Sequence, residues 1–487
     1  MPSHGNPPRS VLHEDVLQTP TKLYYGVRAC SNGGCHDNPT QKDILLCKYD
    51  EVCIWTKQDK HRNANKVLKN ERSQRMANLL GIKGDISHEP RCVSCHGVLI
   101  KDETLIHKPS FSLEEGVSCG VCHGFNKEWV AKHSNFLDRD YWRSQKPHVK
   151  EVQFGMTNLQ DPEKNVTLCV SCHIGNTAEA KVVTHTMYAA GHPPLPGFEM
   201  STFSDAMPRH WKYLAEKTPE AQKISNHDRA NMGFERTQLV VVAGLVSLRE
   251  SMNLLASQAK EKTPAKDPEN AWPELAQFDC CACHHDLKTK SWRQKRGYAG
   301  LPGRPQMREW PLALVHLGIL HAAQGDLHRE KALATDIKNK LTDLSVAFDA
   351  QPFGDPKMVT KAAQELSQSA DNVLKKITTI RFDRGTAQRL LVGLGRESKG
   401  RLHDFDSARQ LAWAFHAIQY ELDPGYLADA NIAKLFGTLN DQLKLQLPEG
   451  QVEVAKDYFK DALEKQISFD PERFNTNFEQ LVKRQAK

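Results

Sequence analysis

Five short motifs, each with a histidine directly after a pair of cysteines, constrain this chain more than any other feature. Ten of its 13 cysteines lie in these motifs. In four motifs two residues separate the cysteines: Cys92-Val-Ser-Cys95-His96, Cys119-Gly-Val-Cys122-His123, Cys169-Val-Ser-Cys172-His173 and Cys280-Cys-Ala-Cys283-His284. In the first motif four residues separate them: Cys30-Ser-Asn-Gly-Gly-Cys35-His36. The repetition indicates that one kind of site is built five times along the chain.

The spacing within each motif suits one cofactor in particular. Two thiols this far apart reach the two vinyl groups on one edge of a porphyrin, and the next histidine then supplies a nitrogen to the iron. The longer first motif still permits this geometry, because Gly33 and Gly34 make its loop flexible. Cysteine pairs also build zinc sites, but zinc does not require a histidine after every second cysteine. The motifs therefore predict five covalently bound c-type haems.

Three cysteines remain outside this pattern. Cys47 and Cys53 lie close together in the sequence. In an oxidising compartment they either form a local disulfide or stay as two thiols. Cys281 lies inside the fifth motif, where we expect it to be a passive occupant of a variable position.

The second axial ligand of each iron decides what such a site does. Iron held by two histidines is saturated and suits electron transfer, whereas an open position binds a small molecule. Five of the 22 histidines belong to the motifs, which leaves 17 for at most five distal positions. Their sequence context selects five distal candidates: His61 after Trp55, His133 after the third motif, His185 and His192 after the fourth, and His210 beside Trp211.

Composition narrows the class of protein further. Only 39% of the residues are apolar, and the mean hydropathy is −0.57, so we expect porphyrin to fill part of the interior. The longest apolar stretch, from Leu239 to Val246, is stopped by Arg249 and predicts no membrane span. The net charge of +6 comes without a basic stripe of interleaved aromatic residues, which argues against nucleic acid as a partner.

The N-terminal sequence bears on the compartment. Met1-Pro2-Ser3-His4 is not followed by the basic and apolar regions of a secretory signal. In bacteria c-type haem is attached on the periplasmic side of the membrane. We therefore expect a mature or trimmed chain with a periplasmic or otherwise extracytoplasmic location.

The distribution of motifs and apolar residues predicts a mainly α fold with two domains. Residues 1–300 are expected to form a loop-rich pentahaem cytochrome c domain, with an insertion at about 180–275 that contains a helix near Arg236 to Gln258. Residues 301–487 are expected to form a haem-free helical bundle of five or six helices. Its apolar residues recur at helical spacing, as in Leu366, Ala370, Val373 and Ile377, and in Leu411, Phe415, Ile418 and Leu422. The histidines of the bundle, namely His316, His321, His403 and His416, are more readily helix residues than haem ligands.

At about residues 20–180 the sequence resembles the cytochrome c-554 and c-prime family of multihaem proteins. The resemblance rests on Cys30 to His36, on Trp55 with His61, on Cys92 to His96, on Gly116 to Gly124 with His133, and on Cys169 to His173. It implies that His61 and His133 are distal ligands of the first and third haems, in either order. It also implies that the haem on His96 lacks a distal ligand. The long first motif, the fifth haem and the tail depart from the family pattern, so the distal ligands of the last two haems stay open among His185, His192 and His210.

Two functions are compatible with these features. In the first, the chain is an electron-transfer protein with redox partner proteins, and the resemblance implies nitrogen-cycle or anaerobic respiration. In the second, it is a haem oxidoreductase that reduces nitrite, nitric oxide or hydroxylamine at an open haem on His96. Pentahaem nitrite reductases usually mark the catalytic haem with a lysine in place of the motif histidine. No such motif occurs here, because Ile44 stands where the partner cysteine of Cys47-Lys48 would be. The carrier is therefore the preferred hypothesis.

Overall fold

The computed structural model of this chain describes residues 21–31, 35–38, 48–224, 234–261, 272–284, 301, 303–304, 306–399, 402–445, 464–466 and 468–485. Over these ranges the backbone forms helices and loops, and its β pairing is limited to isolated bridges such as Lys22 with Asn126. The predicted mainly α fold is confirmed.

The α-helices, in chain order, are α1 Glu51–Gln58, α2 Glu71–Leu79, α3 Pro90–His96, α4 Cys119–His123, α5 Lys127–Ser134, α6 Arg139–Ser144, α7 Pro147–Phe154, α8 Pro162–His173, α9 His185–Ala190, α10 Met200–Ala206, α11 Pro219–Ile224, α12 Glu235–Glu261, α13 Cys280–Cys283, α14 Val315–Ala323, α15 Leu327–Asp349, α16 Pro356–Ile377, α17 Arg384–Ser398, α18 Phe405–Leu422, α19 Ala430–Leu443 and α20 Pro471–Gln485. Single 3₁₀ turns lie at Val27–Ala29, Lys60–Asn63, Lys66–Lys69, Ile86–His88, Glu103–Leu105, Leu113–Glu115, Phe136–Asp138, Thr177–Glu179, Leu214–Glu216, Leu275–Gln277, Trp310–Leu312 and Tyr426–Ala428.

The helix α12 is the centre of the hydrophobic core. It packs against α8 of the motif region and against α14, α16 and α18 of the tail. Its side chains at Val240, Leu245 and Leu255 are fully buried. At Gly244 an added Cβ would lie 2.8 Å from the Cβ of Leu314, so glycine allows the closest approach of the two segments. The helix predicted near Arg236 to Gln258 is thus confirmed and is slightly longer than expected.

The length and composition of α12 also suit a membrane span. The apolar segment runs from Glu235 to Lys260, and 83% of its most apolar window is buried inside the protein. Arg249, which ends the apolar run in the sequence, lies within the helix and reaches across to Glu163 on α8 and Asp371 on α16. A charged residue is tolerated at this depth because its side chain is paired with carboxylates.

The tail is helical as predicted, but it has seven α-helices over its described residues, whereas five or six were expected. Leu366, Ala370, Val373 and Ile377 are all buried on α16, as their spacing predicted. Asp355 caps this helix by accepting hydrogen bonds from the backbone N–H of Lys357 and Met358, and Pro356 occupies its first turn. One apolar cluster extends from Val166 on α8 to Val482 on α20. The division into domains at residue 300 stays a prediction, and the core packs across that position.

Candidate haem-binding sites

Helices position four of the five motifs, and three of these helices, all except the one at Cys119, have a side-chain cap at their N-terminus. Those at Cys92, Cys119 and Cys169 end the helices α3, α4 and α8 with their histidines, and the fifth motif forms α13. Asp161 starts α8 by accepting hydrogen bonds from the N–H of Glu163 and Lys164, with Pro162 at the first helical position. Asp279 accepts from the N–H of Cys281 in the same way. Each cap fixes where the cysteines and histidine of its motif lie on the helix.

At the first site, His36 faces His133. Their Nε2 atoms are 3.5 Å apart, and their rings are nearly parallel, at 17° with centroids 5.8 Å apart. The Nδ1–H of His36 donates to Glu51 Oε2 at 3.1 Å, which directs Nε2 toward the partner histidine. Trp142 packs its ring against His133 at 5.7 Å.

At the second site, His96 faces His192. The two ring centroids are 6.3 Å apart. The Nδ1–H of His96 donates to the carbonyl of Ala64 at 2.9 Å, and that of His192 donates to the carbonyl of Pro193 at 2.7 Å. Both rings therefore keep Nε2 for iron. This arrangement differs from the expectation that the haem on His96 lacks a distal ligand.

At the third site, His123 faces His210, with ring centroids 6.3 Å apart. The Nδ1 atom of His210 is buried and has no hydrogen-bond partner among the described residues. Burial lowers the pKa of His123 to about 4, so the ring is neutral at physiological pH. A neutral imidazole is the form that binds a metal.

At the fourth site, His173 is coupled electrostatically to His61. Burial lowers the pKa of His173 to about 4, and the charge of His61 contributes in the same direction. The Nδ1–H of His61 donates to Asp59 Oδ1 at 2.9 Å. Phe198 stacks on His173 at 4.6 Å. These interactions bring His61 near the fourth motif, and the assignment of His61 to the first or third haem that the resemblance implied stays a prediction.

At the fifth site, His284 faces His185. The rings are nearly parallel, at 26° with centroids 6.4 Å apart. His185 begins the helix α9, and its backbone N–H donates to Glu274 Oε1 at 2.8 Å. The next distal candidate, His192, follows the other end of α9, where Gly191 adopts φ +116° and ends the helix. One short helix therefore positions distal candidates for the second and fifth sites.

The chemistry of these residues fits covalent haem. The cysteines of all five motifs are free thiols, as thioether formation with vinyl groups requires. Burial raises the pKa of Cys92 to about 11 and of Cys169 to about 12, so both are neutral.

Cys53 is also a free thiol and donates to Asp37 Oδ1 at 2.9 Å, and Cys47 lies outside the described residues. Cys281 is buried and donates its S–H to Gln466 Oε1 at 3.3 Å.

Contacts between motifs order the five sites in space. Cys30 and Cys119 pack against the same small apolar cluster, and their thiols are close enough to shift each other's pKa, which brings the first site beside the third. The thiols of Cys95 and Cys172 also shift each other's pKa, which brings the second site beside the fourth. Cys122 lies near enough to Cys172 for their charges to interact, which brings the third site beside the fourth.

The fifth site adjoins the second and fourth. Arg308 Nη2 lies 3.9 Å from the Cys280 sulfur and 3.5 Å from the Tyr188 hydroxyl. The ring of Tyr188 is in turn 6.2 Å from that of His192. Arg308 and Tyr188 also line a cavity of about 230 Å³ together with His173. The sites are therefore connected in one row, which runs from the fifth site, through the second and fourth sites together, to the third and then the first.

Several residues of the sites carry no signal in the sequence. Glu51, Asp59 and the carbonyl of Ala64 orient ligand histidines, but no motif marks them. Lys181 is buried and donates to Ser171 Oγ at 3.0 Å, between the second and fourth motifs.

Of the tail histidines, His321 and His403 are each 1% exposed within the bundle.

Cysteine pairs whose adjacent histidines face further histidines define a c-type cytochrome, which binds haem covalently and takes part in electron transfer. Residues 30–124 match the family model described as cytochrome c554 and c-prime, which confirms the predicted resemblance. The matched segment contains the first three motifs, and the last two lie beyond it. Comparison with curated proteins and with solved structures gives no match for this chain.

Proposed function

We propose that this cytochrome binds five haems, each between two histidines, and carries electrons between redox partner proteins outside the cytoplasm. One observation carries the proposal. Four of the five motif histidines face a different distal candidate, with ring centroids 5.8–6.4 Å apart, and the remaining one, His173, is close enough to His61 for their charges to interact. A haem, when bound at such a site, supplies an iron that takes up and releases one electron.

The residues around the ligands support this role. Glu51, Asp59 and two backbone carbonyls hold Nδ1 protons of four ligand histidines, so that Nε2 of each ring is left to coordinate iron. Burial keeps the pKa of His192 low, at about 4, so no proton competes for that ring. Two neutral imidazoles per iron leave no position for a substrate, as a carrier requires.

The continuous row of sites is a second support. Neighbouring motifs share contacts from Cys30 to Cys280, whereas separate catalytic centres would not need to touch. The row ends at the first site, with His133, and at the fifth site, with His284. We expect partner proteins to approach at these two ends.

The alternative function, reduction of nitrite, nitric oxide or hydroxylamine, requires an iron with an open position. His96 was the candidate for such a site, and His192 lies opposite it with its Nδ1 proton already held by Pro193. We therefore favour the carrier. The family resemblance supports nitrogen-cycle or anaerobic respiration as its setting and an extracytoplasmic compartment for haem attachment.

The test combines a haem count with a gas titration. The haem content per chain, measured by pyridine haemochromogen absorbance against protein mass, is expected to be five. The visible spectrum of the dithionite-reduced protein is expected to stay unchanged when carbon monoxide is added, because every iron is six-coordinate. A spectral change worth one haem in five would contradict the carrier proposal, and a His96→Ala variant would then locate the open site. A count below five would show that the chain binds fewer haems than proposed.

A further inference from the structure

An exposed apolar surface lies next to the first site. Leu137 is 95% exposed, Val152 60% and Tyr141 49%. They belong to three consecutive helical segments, a 3₁₀ turn, α6 and α7, which follow directly after His133. We call this surface, with the exposed basic residues Arg139 and Lys146, the Leu137 face.

Trp142 connects the Leu137 face to the ligand histidine. Trp142, on the same helix as Tyr141, packs on the ring of His133 at 5.7 Å. Lys132 precedes His133 in the chain, and its Nζ lies 6.0 Å from the centre of the Tyr141 ring. Lys150 Nζ lies 5.1 Å above the Trp142 ring. The surface thus reaches the first site through one layer of aromatic side chains.

The Leu137 face carries a modest excess of positive charge. Residues 137–152 contain four basic residues against three acidic ones, and two of the acidic residues, Asp138 and Glu151, are paired with Lys132 and Lys164 from outside this range. A second copy of this chain would present the same positive charge and be repelled. An apolar centre with a basic rim is complementary to an apolar patch with an acidic rim.

We propose that the Leu137 face is the docking surface for an acidic redox protein, which exchanges electrons with the first site. This inference rests on the proposed function, and it adds where the partner binds and what its surface carries. Opposite charges across such a face accelerate encounter by roughly 10- to 1000-fold at low salt, while a small apolar centre keeps the complex short-lived. A carrier needs both properties, because it must bind and release its partner in each cycle.

The experiment measures reduction of the haem-loaded protein by a plant-type [2Fe–2S] ferredoxin, an acidic one-electron donor with a potential near −400 mV. Second-order rate constants are recorded by stopped flow at low and high ionic strength. The test variant is Arg139→Glu/Lys146→Glu, and a second variant is Leu137→Ser. The matched control, Lys331→Glu/Lys338→Glu, reverses two exposed charges on α15 of the tail.

The charge reversal on the Leu137 face is expected to lower the rate constant about tenfold at low salt, with the difference shrinking at high salt. Leu137→Ser is expected to lower it at both salt concentrations, because the lost contact is apolar. The control is expected to stay within about twofold of the original protein. Complete reduction of every variant by dithionite shows that the haems themselves remain functional.

Three results would overturn the inference. Equal rate constants for both double variants would place docking elsewhere and leave the carrier proposal intact. In the second result, the protein binds vesicles of anionic phospholipid, the Leu137-face variant alone loses this binding, and the ferredoxin kinetics are unchanged. The surface would then be a membrane-binding surface. Haems that dithionite does not reduce would defeat the proposed function itself.

Discussion

The Nε2 atoms of His36 and His133 lie 3.5 Å apart, although 97 residues separate the two histidines in the chain. Two imidazoles on opposite sides of one metal ion need about 4 Å between these atoms, because each metal–nitrogen bond is about 2.0 Å long. A small outward movement of either ring therefore accommodates an iron. The geometry of this pair gives the first prediction.

Replacing His133 by alanine is expected to open one iron. The first haem then changes from low spin to high spin, because one of its two strong imidazole ligands is gone. Carbon monoxide is expected to bind about one haem in five of the reduced variant. Electron paramagnetic resonance of the oxidised protein measures the spin change.

His148→Ala is the matched control, since His148 is exposed on the neighbouring helix α7. Its spectra are expected to equal those of the original protein. Persistence of an all-low-spin spectrum in His133→Ala would exclude this histidine as the ligand.

Glu51→Gln is expected to raise the reduction potential of the first haem. The carboxylate of Glu51 accepts the Nδ1 proton of His36 at 3.1 Å, and this hydrogen bond raises the pKa of that ring. Loss of the negative charge makes His36 a weaker electron donor to iron and disfavours the oxidised state. A rise of about 60 mV corresponds to a tenfold change for a one-electron couple. Spectropotentiometric titration measures the potential, and a fall would contradict the assignment.

Arg249→Met is expected to destabilise the fold by about 1–3 kcal/mol, because it leaves partly exposed carboxylates without their charged hydrogen-bond partner. The guanidinium donates to Asp371 at 3.2 Å and to Thr167 at 3.0 Å, and it also binds Glu163. Chemical denaturation followed by circular dichroism measures the loss. The exposed Arg329 provides the control as Arg329→Met, and an equal effect of both changes would argue against the network.

Glu235 predicts a pH dependence of stability. Burial raises the pKa of its carboxyl to about 7, and the nearby Glu421 acts in the same direction. The folded state therefore binds an additional proton between the unfolded value of about 4.3 and pH 7, so stability falls as pH rises through that range. Glu235→Gln is expected to remove this dependence, worth about 2–3 kcal/mol between pH 5 and pH 8.

The measurement is the free energy of unfolding of both proteins at pH 5 and pH 8. The exposed Glu220 serves as the control in a Glu220→Gln variant. A variant Glu235→Gln that keeps the full pH dependence would assign the effect to another group.

The motifs and the helices were readable from the sequence because their signals are local. A cysteine pair and its histidine lie within one turn of helix, and apolar spacing predicts buried positions such as Leu366 and Phe415. The partners of the motif histidines were not readable, because pairing depends on how distant segments fold together. His61 follows the first motif in the chain, and yet its charge interacts with His173 of the fourth motif.

The role of Arg249 shows a second limit of sequence reading. The helix around it was predicted, and the sequence shows Arg249 as the end of the apolar run from Leu239, but not where its charge is neutralised. Burial of an arginine depends on acidic partners from α8 and α16, and local hydropathy contains no information about them.

The helix α9 links the positions of the distal candidates at the second and fifth sites. Its six residues span only about 9 Å, and a segment that short moves as a rigid rod. His185 begins the rod, and His192 follows its end after Gly191. With haem bound as proposed, displacement of one of these two histidines would shift the other through the backbone of α9, which would couple the coordination of the two irons.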